Sequence, residues 1–247
     1  MSITIVRLLP DVLGLNGSLG NAEVIATRLR WWDLDVRVRD CQAGDDLGQR
    51  PDIVVLGHGT SSMLTPAADA LERWATTLRE WHDQGTHFFG AGLGGDLLGE
   101  SVAMDATTPA RAGLGLTPVK TTLRGVRASL EVSGMDFLGR NVAGYLNDAA
   151  ARDPNGADPL MTFLPVATEG WEGNTAENGE GVRGDGVWAT AISGPFLALN
   201  PAIADDIVRS ILEQKDQALP KATVAHDQVD ESAERARTWI RSRLHLR

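Results

Sequence analysis

The sequence predicts an α/β fold built on a mostly parallel central sheet. Three observations carry that expectation. Short apolar runs at residues 3–9, 53–56 and 87–91 have the continuous hydrophobic character of strands buried on both faces. Segments with helical spacing separate them. Gly, Pro and Asn mark each change of pattern. A β-α-β-α-β order of this kind closes into a parallel sheet through right-handed crossovers.

Taken in order, residues 3–9 form the first strand, and residues 21–32 a helix with Ala22, Ile25, Ala26 and Leu29 on one face. Residues 34–38 alternate at period two. Pro51 and Asp52 introduce the strand 53–56, which ends at Gly57-His58-Gly59-Thr60. Thr65 is read as the cap of a helix opened by Pro66, with Leu71, Trp74, Leu78 and Trp81 following and Gly85 as its stop. Beyond Gly99 the pattern changes. Residues 114–119, 126–132 and 141–145 read as strands without long helices between them. Residues 149–159 read as a surface loop, from their Asp-Pro and Asn-Gly signals, and residues 169–186 as a Gly-rich mobile segment. A strand at 187–192 follows, then a helix capped by Asn200 and running to about residue 215. A polar stretch, 216–227, leads to a last helix over 229–246. Residues 1–215 are thus one domain, and residues 216–247 a linker and a helix packed on it or extending from it.

Composition narrows the function. The chain has 247 residues, 23 basic against 33 acidic, for a net charge of −10. That balance argues against a nucleic-acid binder, which displaces counterions with a basic face. No apolar run approaches the length of a membrane span, and the first residues read as a strand, not a signal peptide. A single Cys41 excludes an intramolecular disulfide and any multi-cysteine metal site. These features place the protein in the cytoplasm, with no metal and no cofactor.

The most informative segment is residues 86–99, T-H-F-F-G-A-G-L-G-G-D-L-L-G. A strand, a glycine turn and a helix in this order hold a nucleophile at the tip in many hydrolases, yet the turn has no Cys, Ser or Thr. His82, Asp83 and His87 lack metal-site spacing and read as helix-end and strand residues. In Trp31-Trp32, adjacent residues cannot share one helix face, so one is expected to be exposed at an interface. On the last helix, Arg235, Arg237, Arg241, Arg243 and Arg247 flank a stripe of Ala236, Ile240 and Leu244. That helix either touches an acidic partner or membrane, or docks with its cations toward its C-terminal end.

Several segments together resemble the class I glutamine amidotransferases of the CobB/CobQ-like branch, most closely the GatD-type subunit of lipid II isoglutaminyl synthase. They are Leu15-Asn16-Gly17-Ser18-Leu19-Gly20-Asn21, residues 52–59, residues 89–99, Gly113-Leu114-Gly115, Gly144-Tyr145-Leu146-Asn147-Asp148 and Ala189-Thr190-Ala191-Ile192-Ser193-Gly194-Pro195 with Asn200-Pro201. The resemblance spans nearly the whole chain. It implies a three-layer, flavodoxin-like fold. In that family a Cys–His pair hydrolyses glutamine, and the ammonia passes to a MurT-like Mur ligase family protein held as a heterodimer.

The departures fall on the chemistry. The family's nucleophilic Cys falls at Gly92, its elbow Gln at Asp96 and its His at Ser193. Glycine cannot attack an amide carbon, and serine cannot act as an imidazole at neutral pH. The resemblance therefore implies a non-hydrolytic subunit with no catalytic residues. A small amino-acid or amide ligand is expected at Gly57, His58, Gly59, Gly92, Leu93, Asp96, Arg124 and Ser193. Gly57 and Gly59 are read as amide donors, and Gly92, Gly94 and Gly95 either as an anion nest or as a plain tight turn. Arg124 lies near the family's carboxylate-binding arginine. His58 either faces the pocket or, as the preferred reading, points to solvent. The alternative is an amidotransferase or hydrolase of altered chemistry using Asp96, His58 or Ser193, or a glutaminase that supplies ammonia for peptidoglycan precursor amidation. Cys41, in its polar Asp-Cys-Gln context, reads as an ordinary strand-end thiol.

Overall fold

The computed structural model describes residues 2–164 and 179–244. In chain order the elements are β1 (Ser2–Leu8), α1 (Gly20–Trp31), β2 (Asp35–Cys41), β3 (Ile53–Leu56), α2 (Leu64–Asp83), β4 (His87–Ala91), α3 (Leu93–Leu98), β5 (Ser101–Ala103) and β6 (Arg111–Ala112). Then come β7 (Lys120–Asp136), β8 (Asn141–Asp153), β9 (Met161–Phe163), β10 (Gly179–Glu180), β11 (Val182–Gly184), β12 (Val187–Thr190), α4 (Phe196–Leu199), α5 (Pro201–Glu213) and α6 (Val224–Arg243).

The main sheet has the order β11-β12-β4-β3-β1-β2. Its strands are parallel except β11, which pairs antiparallel with β12. This is the expected doubly wound arrangement, whose ligand crevice lies outside the carboxyl ends of the strands. Strand alternation divides the core. Ile3, Ile5, Ile53, Val55 and Phe89 face α1, α4 and α5. Val6, Leu8, Val54, Leu56 and Phe88 face α2 and α3. Both faces are covered, so the strands read as continuous apolar runs.

A second sheet, β10-β9-β7-β5-β6 with β8 on β7, holds the middle of the chain. The long β7 and β8 pair antiparallel, with a register irregularity between Leu123 and Ala128. Leu146 of β8 bridges Ile192 just after β12 and ties the two sheets together.

Several sequence expectations are corrected here. Residues 114–119 are not a strand. Their amides bond back to α3, Leu114 N to Leu97 O at 2.8 Å and Leu116 N to Leu98 O at 2.9 Å, which leaves no edge for pairing. The surface loop expected at 149–159 is strand as far as Asp153. Of the segment expected to be mobile, residues 169–178 lie outside the described residues, and residues 179–186 contain β10 and β11.

The helix ends also differ. Thr65 does not cap α2; a 3₁₀ turn at Ser61–Met63 feeds the helix directly. Pro66 sits in its first turn, where an amide has no intrahelical partner. Asn200 makes no cap bond. Its side chain instead accepts from Ala143 N (3.1 Å) and donates to Ala143 O (2.9 Å), fastening β8 to the start of α5.

Helix α6 starts earlier than the sequence suggests, because His226 completes a capping box with Thr223. Only His226 and Ala233 of α6 are buried. Polar contacts therefore hold it down. Arg28 of α1, 1% exposed, bonds Asp205 of α5 at 2.5 and 2.6 Å and Asp230 of α6 at 2.8 Å. The two adjacent tryptophans both pack on α6. Trp32 is buried and stacks on His226 at 4.2 Å, while the half-buried Trp31 meets the same ring edge-on at 5.2 Å. Among the described residues no helix is long and apolar enough to cross a membrane.

Removing one partner of a buried ion pair leaves its counter-charge uncompensated. Arg28→Ala is expected to cost about 3 kcal/mol, measured as a fall in the urea midpoint. Arg28→Met, which retains the stem, is expected to recover part of the packing but not the attachment of α6, read by limited proteolysis after Glu213.

Candidate functional site

The crevice is built where β3, β4 and β12 end. Gly92 follows β4 with φ 53° and ψ −126°, a conformation glycine adopts readily and side-chain-bearing residues rarely do. Its amide donates to Thr190 O at 2.7 Å, and the Gly94 amide to Gly57 O at 3.0 Å. A Cβ at Gly94 would lie 2.3 Å from Gly57 O, so only glycine lets α3 approach β3 this closely. The strand–turn–helix elbow predicted from the sequence is present, with a glycine at its tip.

His58 fills the elbow. It is buried, contrary to the expectation that it points to solvent. A Cβ built on Gly92 would fall 1.9 Å from His58 Nδ1 and 2.6 Å from its Cγ. The ring thus occupies the room that a side chain at position 92 needs. Its Nδ1 accepts the Leu93 amide at 3.1 Å. The His58 amide donates to Ser18 Oγ at 2.7 Å, so it is not directed at a ligand. Burial lowers the His58 pKa, against the opposing pull of Asp96 and Asp148, and keeps the ring neutral near pH 7.

Behind the elbow lies a buried charge network that the sequence reading missed. Arg152 of β8 bonds Asp96 at 2.7 and 3.2 Å and Asp148 at 2.8 and 3.0 Å. Thr121 donates to Asp96 at 3.0 Å. Burial disfavours the Asp148 carboxylate, yet the charge and hydrogen bonds of Arg152 hold its pKa below the ordinary range. Asp96 is therefore engaged by protein groups. With Gly92, Arg152, Glu180 and Thr190 it lines a cavity of about 20 Å³, room for about one water and too small for an amino acid.

The remaining expected site residues separate. Ser193 lines a different cavity, of about 460 Å³, with Tyr145, Phe196 and Ile240 under α6, which shares no lining residue with the first. The stripe of Ala236 and Ile240 faces this second cavity, and Arg28 ties α6 to α1 and α5. Arg124 is exposed, within the irregular stretch of β7, and lines neither cavity. Gly57 and Gly59 are packed against the loop after β1, where a Cβ would meet Leu13 O at 2.0 Å and Val12 O at 3.0 Å. Cys41 ends β2, is 1% exposed, and burial raises its pKa. His87 bonds Ser210 Oγ at 2.9 Å and His82 bonds Asp185 O at 2.6 Å. Among the described residues no three His, Cys, Asp or Glu are grouped to hold a metal.

A model of the CobB/CobQ-like glutamine amidotransferase domain matches residues 31–201, more than half of the chain. The protein belongs to this family. Solved structures agree on the fold. A glutamine amidotransferase superposes with a TM-score of 0.57 at 15% identity, over 83% of this chain and 98% of its own. PurLQS from Thermotoga maritima gives 0.57 at 13% identity, over 87% and 100%. A second glutamine amidotransferase, also from Thermotoga maritima, gives 0.50 at 11%, over 97% and 94%. At such identities these likenesses speak to the fold alone. No curated protein sequence matches significantly.

One signal in the sequence of this family member points to the missed network. Asp148 and Arg152 are four apart, which places both on one face of a strand. The turn signals after Asp153 hid that strand. Glu180 lay in a Gly-rich stretch and gave no periodic signal. It is fully buried, accepts bonds from Thr190 Oγ1 and Ala191 N, and burial pushes its pKa up to about 7. The folded state holds this proton between about pH 4.5 and 7 while the unfolded chain releases it, so stability falls as pH rises through that window. Glu180→Gln is expected to flatten this part of the stability–pH curve by up to about 3 kcal/mol, measured by urea denaturation from pH 4.5 to 8.

Proposed function

We propose that this member of the glutamine amidotransferase family has lost glutamine hydrolysis and serves as a binding or scaffold subunit for a MurT-like, ATP-dependent Mur ligase. One observation carries the reading: the elbow tip is Gly92, and the His58 ring occupies the space a nucleophilic side chain would need. Forming a thioester requires a thiolate at the elbow and an acid–base partner beside it. The only thiol, Cys41, is buried at the end of β2. The resemblance puts the family's His position at Ser193, which lines a separate cavity. The identity of the ligase comes from the family resemblance alone.

The alternative of altered chemistry draws less support. Asp96 is neutralised by Arg152, and His58 is closed in against Leu93. Among the described residues, neither lines the cavity that Ser193 lines.

Purified protein incubated with glutamine, alone and with a Mur-ligase-like protein from the same genome, is expected to release no ammonia above background. Release abolished by Cys41→Ala would overturn this reading. Stable co-elution with the ligase supports the scaffold role, and a monomer with turnover of its own counts against it. Gly92→Cys alone is expected to lose about 1–3 kcal/mol, because its Cβ collides with the His58 ring at a positive φ. Gly92→Cys combined with His58→Gly is expected to regain stability and to react with iodoacetamide, still without hydrolysing glutamine.

A further inference from the structure

The geometry points to His58 as a displaceable plug: its neutral ring sits in a preformed seat at the elbow, and the site opens when the ring rotates out. The seat accepts a neutral, planar hydrogen-bond acceptor about the size of an imidazole. This deepens the non-hydrolytic reading and rests on it.

Three features define the plug. First, Nδ1, Cγ and Cε1 of the ring lie 1.9, 2.6 and 2.7 Å from where a Cβ of residue 92 would stand, so the ring and a side chain at 92 exclude each other. Second, Nδ1 accepts the Leu93 amide, the first amide of α3. That bond fixes the tautomer, because an accepting Nδ1 leaves the proton of a neutral imidazole on Nε2. Third, Nε2 is buried with no hydrogen-bond partner among the described residues. A buried donor without an acceptor is costly, so the ring is matched on one nitrogen and unmatched on the other.

The backbone stays in place when the ring leaves. Ser18 Oγ holds the His58 amide, and the Leu15 amide donates to His58 O at 2.9 Å. Only the side-chain torsions need to change. Rotation exposes the Leu93 amide and the bare Gly92 beside the small cavity that Gly92, Asp96 and Arg152 line.

Protonation drives the ring outward. A proton on Nδ1 turns the acceptor into a donor facing the Leu93 N–H. The charged groups that act on the ring are Asp96 of α3, Asp148 and Arg152 of β8, and Arg127 of β7; Ser18 contributes its hydroxyl to the backbone below. The two carboxylates favour the imidazolium, the two guanidinium groups oppose it, and burial opposes it most. The plugged state binds fewer protons than a free histidine. It is therefore favoured above the ordinary imidazole pKa of about 6.5 and loses ground as pH falls below it.

Three variants and one probe test the device. His58→Gly is expected to show a rise in melting temperature with millimolar imidazole, whereas the wild type and His58→Phe show none. In the wild type, the Leu93 amide resonance is expected to move between pH 8 and 5 toward its position in imidazole-free His58→Gly. In His58→Phe, which fills the seat without titrating, it stays fixed. Two results overturn the plug: a folded His58→Gly indifferent to imidazole, or a wild-type Leu93 resonance that does not respond as His58 titrates. If His58→Gly does not fold, the wild-type and His58→Phe titrations decide alone. Ammonia release tests the non-hydrolytic reading separately, so failure of the plug is distinguishable from failure of that reading.

Discussion

Three strand ends meet on the backbone at Gly92. The Gly92 amide bonds Thr190 O at the end of β12, and the Gly94 amide bonds Gly57 O beyond β3. These two bonds and the chain link from β4 join α3 to three adjacent strands of the parallel sheet, and the second requires backbones closer than any Cβ permits at Gly94. The remaining site geometry follows from them. The helix begins against the sheet, its first amide faces His58, and the loop after β1 closes over Gly57. The glycines of the elbow are thus explained by packing whether or not a ligand binds there.

Buried charge is used in the same way at two places in the molecule. Behind the elbow, Arg152 joins Asp96 of α3 to Asp148 of its own strand, tying the second sheet to the helix that carries the site. At the other end, Arg28 joins α1, α5 and α6. Both arginines are almost fully buried, and each meets two carboxylates. Buried ion pairs add little net stability compared with apolar packing, but breaking one is costly. They act here as connectors that fix which elements meet, since α6 buries too little apolar surface to choose its own seat.

The fold of the family and the residue at the elbow tip are separate facts about this protein. The fold is that of a glutamine amidotransferase. The tip residue has no side chain, and an imidazole from the neighbouring loop lies in its place. A fold of this kind supports binding and assembly as readily as hydrolysis, because function resides in the site and not in the scaffold.

The parallel sheet, helices α1 and α2 and the glycine elbow were legible in the sequence, because each is a local pattern: apolar runs of strand length, helical spacing, and turn residues at fixed offsets. The absence of a nucleophile at residue 92 was equally legible, since it needs only the identity of one residue. The burial of His58, the Arg152 network and the seat of α6 were not. His58 and Gly92 are 34 positions apart, and Arg152 and Asp96 are 56 apart. Turn signals at 149–159 outweighed a strand whose partner, β7, is set by long-range pairing. The sequence by itself determined the frame and the missing side chain. Only the tertiary structure decided what fills the vacancy, because that depends on which distant groups the sheet order brings within contact of a glycine.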